Sequence, residues 1–297
     1  MNWKTAGKLI VSLGLLCYLL SKLDVKAIYE VFTEMNLVLL SSSLPLVVLM
    51  YLMKARKWQT LLNCIDIRIP ILRSLEIILI GTFYGALTPG RTGEVSRAFY
   101  LDSEKSRSIP TVVMDRIIDV ICLMFLSVLA IAFFFKDRNL IYLMTFMMSL
   151  SVVGIVIITN EKAVSLFFRM FFKNKEHKEN YIKTMREIIE NKKVLSRVFL
   201  LTLGYYLVNL VVYWIVIKSL SPALNNILTF SLPIIVVLGN FPISISGFGI
   251  REFISVTIFS LLDENLAYGF SCPVILYFLT SLSPALIGFL LTLKKRY

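Results

Sequence analysis

The sequence predicts an all-α, polytopic membrane protein, and three observations predict it. Hydrophobic residues make up 57% of the 297, charged residues only 17%, and mean hydropathy is +0.78; soluble chains run nearer ~45–50% apolar and ~25% charged. The apolar residues gather into long runs at about 6–21, 37–53, 74–88, 117–135, 140–159, 198–217, 227–245 and 267–293, and a spanning helix needs about 20 mostly apolar residues. Basic residues outnumber acidic ones, 31 to 19 for a net +12, and they collect between the runs, as residues that resist translocation do in cytoplasmic loops. Secreted, disordered and coiled-coil classes are excluded, and no length remains for a soluble catalytic domain. The positive charge therefore needs no nucleic-acid partner. Residues 1–297 read as one integral-membrane domain.

The first run follows Lys4 and Lys8 as a signal peptide would. Ser21-Lys22-Leu23-Asp24 then offers no small-x-small cleavage pattern, so it reads as a retained helix. Lys54, Arg56, Lys57, Arg68 and Arg73 follow the second run, the basic stretch 160–197 follows the fifth, and Lys294-Lys295-Arg296 follows the last. Placing all three regions and the N-terminus in the cytoplasm forces 74–115 to enter from the cytoplasm and return to it. The same count makes 227–266 enter and leave on the outside. Each segment has a Gly/Pro-rich break at its middle: Thr88-Pro89-Gly90-Arg91-Thr92-Gly93 and Pro242-Ile243-Ser244-Ile245-Ser246-Gly247-Phe248-Gly249. Irregular backbone at membrane depth survives only against protein or a water-filled cavity, and paired breaks of opposite orientation point to an inverted-repeat core. The expected architecture is about six full transmembrane helices plus two oppositely oriented broken or re-entrant hairpins, with both termini cytoplasmic. The 160–197 stretch is expected to be a cytoplasmic helical hairpin with a basic face, its apolar part Ala163–Phe172 lying along the membrane.

An ionisable residue inside a membrane segment costs roughly 2.5–3.5 kcal/mol on insertion scales, so charges beside the breaks carry information. After the first break stand Arg91, Glu94 and Arg97. Gly90 and Gly93 let the backbone turn sharply, a helix start near Thr92 offers unpaired N–H groups, and Arg91 adds a planar donor fork. This pattern fits a phosphate seat, and fits equally a cytoplasmic turn carrying ordinary surface charges. Asp115, Arg116 and Asp119 open the fourth run. They read first as a structural ion-pair network at a helix mouth, second as a proton or cation relay, and the carboxylates could neutralise Arg91 or Arg97. Arg251 and Glu252 follow the second break with apolar sequence on both sides; here a functional reading outweighs the structural one. Ser244, Ser246, Gly247 and Gly249 supply hydroxyls and a close-approach backbone ahead of them, while Asn240 and Pro233 add a polar group and a kink.

The remaining features are bland. Cys17, Cys64, Cys122 and Cys272 lie far apart without a CxxC pair, and the one histidine, His177, sits in a charged stretch. No metal site and no cofactor is expected. Tyr205, Tyr206, Tyr213 and Trp214 fit interface belts. GxxxxGK[ST], GxSxG and HExxH are absent, so no ATPase or hydrolase chemistry is indicated.

Lys54-Ala55-Arg56-Lys57-Trp58 with Leu61-Leu62, then Pro89-Gly90-Arg91-Thr92-Gly93-Glu94-Val95-Ser96-Arg97, then Asp115-Arg116-Ile117-Ile118-Asp119, and finally Pro242 to Glu252 through Ser246-Gly247-Phe248-Gly249-Ile250-Arg251 resemble the flippase-like family of the lysylphosphatidylglycerol synthase transmembrane region. The resemblance spans almost the whole chain, keeps the motif order, and rests on a specific P-G-R-x-G-E-x-x-R with a later G-F-G-x-R-E. It implies lipid translocation, with stand-alone relatives linked to polyprenyl- or dolichyl-phosphate sugars and envelope lipid traffic. The sequence ends at Tyr297 without an aminoacyl-transferase domain, so lysine transfer is not expected to be its own activity.

Together these readings give a non-enzymatic, plasma-membrane flippase-like transporter for an anionic phospholipid or polyprenyl-phosphate-linked lipid. Its substrate-binding residues are expected to be Pro89, Gly90, Arg91, Gly93, Glu94, Arg97, Ser246, Gly247, Gly249, Arg251 and Glu252. Arg56, Asp115, Arg116, Asp119 and Asn240 are expected to support them. The alternative is a non-transporting scaffold that partners a glycosyltransferase or lipid-modifying enzyme through the basic 160–197 surface.

Overall fold

The computed structural model describes residues 14, 18–19, 21–88, 90–135, 141–142, 145–146, 149, 152–153, 175–240 and 246–294. Most of the first apolar run, most of the run at 140–159, the segment Ala163–Phe172, Pro89, Pro242, Ser244, Lys295 and Arg296 lie outside them. Among the described residues every regular element is a helix.

Helix α1 (Val25–Thr33) begins where the Asp24 carboxylate accepts from the Lys26 N–H at 2.8 Å. Helices α2 (Leu37–Ser41) and α3 (Leu44–Cys64) together make an apolar stretch of 28 residues. Helix α4 (Ile71–Ala86) precedes the first break and a 3₁₀ segment, Thr92–Tyr100. Helix α5 (Lys105–Ala130) continues through a π turn, Ile131–Phe135; α6 (Lys175–Glu190) turns at Asn191 into α7 (Lys192–Leu220). A second 3₁₀ segment, Asn226–Ser231, runs into α8 (Leu232–Gly239), and the second break leads to α9 (Ile250–Leu261). Helices α10 (Leu266–Tyr277) and α11 (Ser283–Lys294) are joined by a π turn at Phe278–Leu282.

Among the described residues four stretches are long and apolar enough to cross a membrane: Leu37–Cys64, Lys105–Phe135, Lys192–Leu220 and Leu266–Lys294. At about 1.5 Å per residue each exceeds the ~30 Å hydrocarbon core. The elements flanking the breaks are shorter, 16 residues in α4 and 12 in α9. Two helices extend well beyond their apolar runs. The second run ends at 53 but its helix reaches Cys64, and the fourth starts at 117 but its helix starts at Lys105. Charges interrupt hydropathy without interrupting the backbone ladder, so the helices persist where those charges find partners.

The chain divides into two compact units. The first comprises Met1–Tyr51, Leu79–Glu94 and Tyr206–Tyr297, the second Leu52–Ile78 and Val95–Tyr205. In the first, α10 packs against both α1 and α9, and α8 packs on α9. The approach of α9 to α10 is nearly backbone to backbone: a Cβ on Gly269 would stand 3.0 Å from Val256 Cα. Gly288 does the same for α11 against α4, where a Cβ would meet the Leu79 carbonyl at 2.0 Å, and Phe83 and Phe289 meet at 5.2 Å beside it. In the second unit, α6 presents Tyr181, Met185 and Ile188 at helical spacing to Leu61, Ile65, Met114, Ile117 and Ile118. Each such side chain contributes about 1.5–3 kcal/mol on burial. Of the stretch 160–197 the described residues are α6 and the start of α7, and its apolar part lies outside them.

Candidate functional site

Both breaks are built from left-handed backbone. At the first, Gly90 (φ 59°) and Arg91 (φ 57°) are consecutive left-handed residues, a conformation that costs a non-glycine residue roughly 1–2 kcal/mol. Thr88 closes the turn: its hydroxyl donates to the Tyr84 carbonyl at 3.0 Å and accepts from the Gly93 N–H at 2.7 Å. Only glycine fits at 93, since a Cβ would stand 2.2 Å from the Tyr84 carbonyl oxygen. The turn delivers Arg91 to the π turn after α10, where its Nη2 donates to Ser281 Oγ at 3.2 Å. Its Nε lies 3.4 Å from Glu94 Oε1.

At the second break Ser246 (φ 52°), Gly247 (φ 82°) and Gly249 (φ 84°) are left-handed, and α9 starts as Arg251 N–H bonds the Gly247 carbonyl at 3.1 Å. The buried Glu252 carboxylate accepts from the Gly249 N–H at 2.6 Å, so it occupies an amide at the helix start. The Arg251 guanidinium lies over the Tyr277 ring at 4.6 Å. Tyr277 is itself held by a 3.0 Å hydrogen bond with Ser246 Oγ and an edge-on contact with Phe248 at 4.8 Å. Two glycines make the slot: a Cβ on Gly239 or Gly247 would come within 2.5 Å of the Arg251 side chain. Among the described residues no carboxylate lies within ion-pair distance of Arg251; the Arg91 guanidinium is near enough to repel it and the neighbouring Glu252 attracts it.

The first unit therefore brings Arg91, Gly90, Gly93 and Glu94 of one break to Ser246, Gly247, Gly249, Arg251 and Glu252 of the other, around Tyr277 and Ser281. Two planar donor forks converge there, and the face of an aromatic ring, a dipole-scale partner, is what balances one of them. Such a site favours an oxyanion that can accept from both forks.

The second unit holds the other charges in a closed network. Lys57 Nζ lies 2.7 Å from Asp115 Oδ1 and 2.6 Å from Asp119 Oδ1. Arg97 Nη2 lies 2.8 Å from Asp115 Oδ2 and its guanidinium 5.2 Å over Trp58. Trp58 in turn donates to Thr111 Oγ1 at 3.1 Å. Arg116 reaches Asp119 at 3.7 Å. The Lys57, Asp115 and Arg97 side chains are 3% exposed or less. Arg56 turns instead to Gln59 at 2.7 Å, and half-buried Asn240 ends α8 through its backbone N–H on Val236. Pro89 lies outside the described residues.

A family model described as the lysylphosphatidylglycerol synthase TM region matches residues 6–288. The chain belongs to that family. A UPF0104 membrane protein of Methanocaldococcus jannaschii is 22% identical over 315 residues, covering 97% of this chain and 94% of the relative. No solved structure matches the chain. The match covers a membrane region, in line with the long apolar helices among the described residues, and the protein is an integral membrane protein.

For this member of the lysylphosphatidylglycerol synthase transmembrane-region family, sequence reasoning missed three residues that the geometry makes central. Lys57 reads in the sequence as one of the basic residues after an apolar run and as part of the first resemblance segment, not as a site residue. Its signal was indirect: two aspartates four apart on a membrane helix need a buried cation. Tyr277 and Ser281 gave no signal at all, reading as an aromatic and a small packing residue in the last apolar run.

Proposed function

We propose that the protein moves an anionic phospholipid or polyprenyl-phosphate-linked lipid between leaflets of the plasma membrane, without chemical conversion of its cargo. One observation carries the reading: Arg251 stands in a glycine-lined slot, set on an aromatic face without a carboxylate at ion-pair distance among the described residues, with Arg91 near it. A head-group phosphate would accept from both arginines, and the acyl or prenyl tails would stay in the bilayer. The phosphate's desolvation is the main barrier to crossing, and charge neutralisation by the arginines lowers it. Glu94 beside Arg91 and Glu252 on the Gly249 amide hold places that a phosphate would contest, so release is favoured as well as capture. Membership of the family supports a membrane role; the lipid and the arginine roles are this reading's own.

The test is lipid movement in proteoliposomes. Labelled phosphatidylglycerol, lysyl-phosphatidylglycerol and a polyprenyl-phosphate sugar are followed between leaflets with wild type and Arg251→Ala. The expected result is acceleration of at least one lipid, lost in the variant. Folded wild-type protein that accelerates none of them would overturn the reading in favour of a scaffold for a glycosyltransferase or lipid-modifying enzyme.

A further inference from the structure

Between α10 and α11 the backbone widens into the π turn Phe278–Leu282, a form that is rare inside helices and met mostly at functional sites. Tyr277 stands at the entrance of the turn and Ser281 inside it, four positions apart and so neighbours on one face. Each holds a different break. Tyr277 shares a 3.0 Å hydrogen bond with Ser246 Oγ, meets Phe248 edge-on at 4.8 Å and lies under the Arg251 guanidinium at 4.6 Å. Ser281 Oγ accepts from Arg91 Nη2 at 3.2 Å. A further contact holds the turn itself: the Tyr51 hydroxyl, on α3, donates to the Thr280 carbonyl at 3.0 Å.

Two features tie this arrangement to the arginines. Ser246 is 2% exposed and left-handed at φ 52°, a conformation that costs every residue but glycine. Glycine would relieve that strain; what serine adds is the hydroxyl on Tyr277. The partners that the turn gives the two arginines are also both neutral, a ring face for Arg251 and a hydroxyl for Arg91. Such partners orient a planar donor fork while leaving its charge for a ligand. We propose that Tyr277 and Ser281 are positioning residues for Arg251 and Arg91, and that the π turn is their shared mount. A shift of the turn moves both forks, so a phosphate meets them in register or loses both. This rests on the reading that the two arginines hold a phosphate.

The experiment is a double-mutant cycle on binding, read by thermal unfolding of the purified full chain in detergent titrated with dihexanoyl phosphatidylglycerol. Tyr277→Leu and Ser281→Ala should each raise the dissociation constant about tenfold, with melting of the unliganded protein close to wild type. On one mount the double variant should lose little more than either single variant, whereas independent holders would multiply to about a hundredfold. Ser281→Thr keeps the hydroxyl and should bind near the wild-type level. Tyr51→Phe touches neither arginine, yet by loosening the turn it should weaken binding as well. Tyr277→Phe, which cuts only the Ser246 hydrogen bond, replaces Tyr277→Leu in the cycle if that variant does not fold. Losses that multiply, or dissociation constants unchanged in both single variants, overturn the proposal. The cycle reads binding without movement. Multiplied losses in a protein that still moves lipid therefore sink this inference alone, and a folded wild type that binds the probe but moves no lipid sinks the flippase reading alone.

Discussion

The two units treat buried charge in opposite ways. In the second unit Lys57 and Arg97 satisfy Asp115 from two sides at 2.7 and 2.8 Å, Asp119 takes the other side of Lys57, and Trp58 covers Arg97. In the first unit Arg251 rests on Tyr277, and Arg91 has Glu94 at a looser 3.4 Å together with a serine. A closed network has spent its attraction on itself and holds helices in register. An arginine balanced by a ring keeps most of its attraction for something that arrives. The difference teaches that charge density does not distinguish the two units; the degree of neutralisation does.

Removing one member of the closed network should show this most strongly. Asp115→Ala takes an ion-pair partner from both Arg97 and Lys57 and leaves Lys57 with Asp119, and breaking a buried pair from one side costs about 3–5 kcal/mol. The expected outcome is a large drop in melting temperature, or loss of folded protein from the membrane. Recovery in the double variant Arg97→Met/Asp115→Leu, which leaves the Lys57–Asp119 pair intact, would confirm that the stranded charge, not the lost contact, does the damage. An Asp115→Ala protein with wild-type melting would break the comparison.

Arg251→Ala should have the reverse profile. The contact given up is a cation–π interaction worth on the order of 2 kcal/mol, and among the described residues no ion pair with a carboxylate is broken. Melting should fall only slightly while lipid movement in proteoliposomes is lost. If melting falls as far as it does for Asp115→Ala, Arg251 belongs to the scaffold.

Gly239→Ala sharpens the same point without changing any charge. Alanine ordinarily stabilises a helix over glycine by about 1 kcal/mol, yet here its Cβ would stand 2.5 Å from Arg251 Cγ and push the guanidinium off Tyr277. Stability should hardly move and lipid movement should drop by a smaller factor than in Arg251→Ala. Movement at the wild-type rate would mean that the slot does not position the arginine.

How much of this was legible in the sequence follows from what each feature depends on. The helices were, because hydropathy and length report on the membrane directly. The breaks were too, because left-handed backbone leaves glycines at 90, 247 and 249. Helix ends were not: Lys54, Lys57 and Asp115 make the flanks of α3 and α5 look like loops, and only the pairing between distant segments shows that the helices run on. The aromatic bed of Arg251 was hidden for the same reason, since Tyr277 lies 26 positions away and resembles any membrane tyrosine. Sequence spacing reports on neighbours along one helix; partners contributed by another helix have no spacing to read.

The smallest effect is expected outside both charge sites, where the segment before α5 meets α6. The exposed Glu104 carboxylate accepts from Ser106, from Asn180 at 3.0 Å and from His177 Nδ1 at 3.2 Å. These hydrogen bonds, that from Ser106 first, hold its pKa below the usual carboxylate range. A carboxylate whose pKa is depressed by folding stabilises the fold above its unfolded value and loses that contribution as pH falls through the folded one. Wild type should therefore lose a little of the α6 attachment between about pH 5 and 3, whereas Glu104→Gln should be flat over that window and match wild type at its acid end. Hydrogen exchange of the α6 amides reads the difference. A Glu104→Gln profile that still bends there would assign the acid sensitivity to another carboxylate. Solvent screens this contact as it does not screen Asp115 or Arg251, and that is why it ranks last.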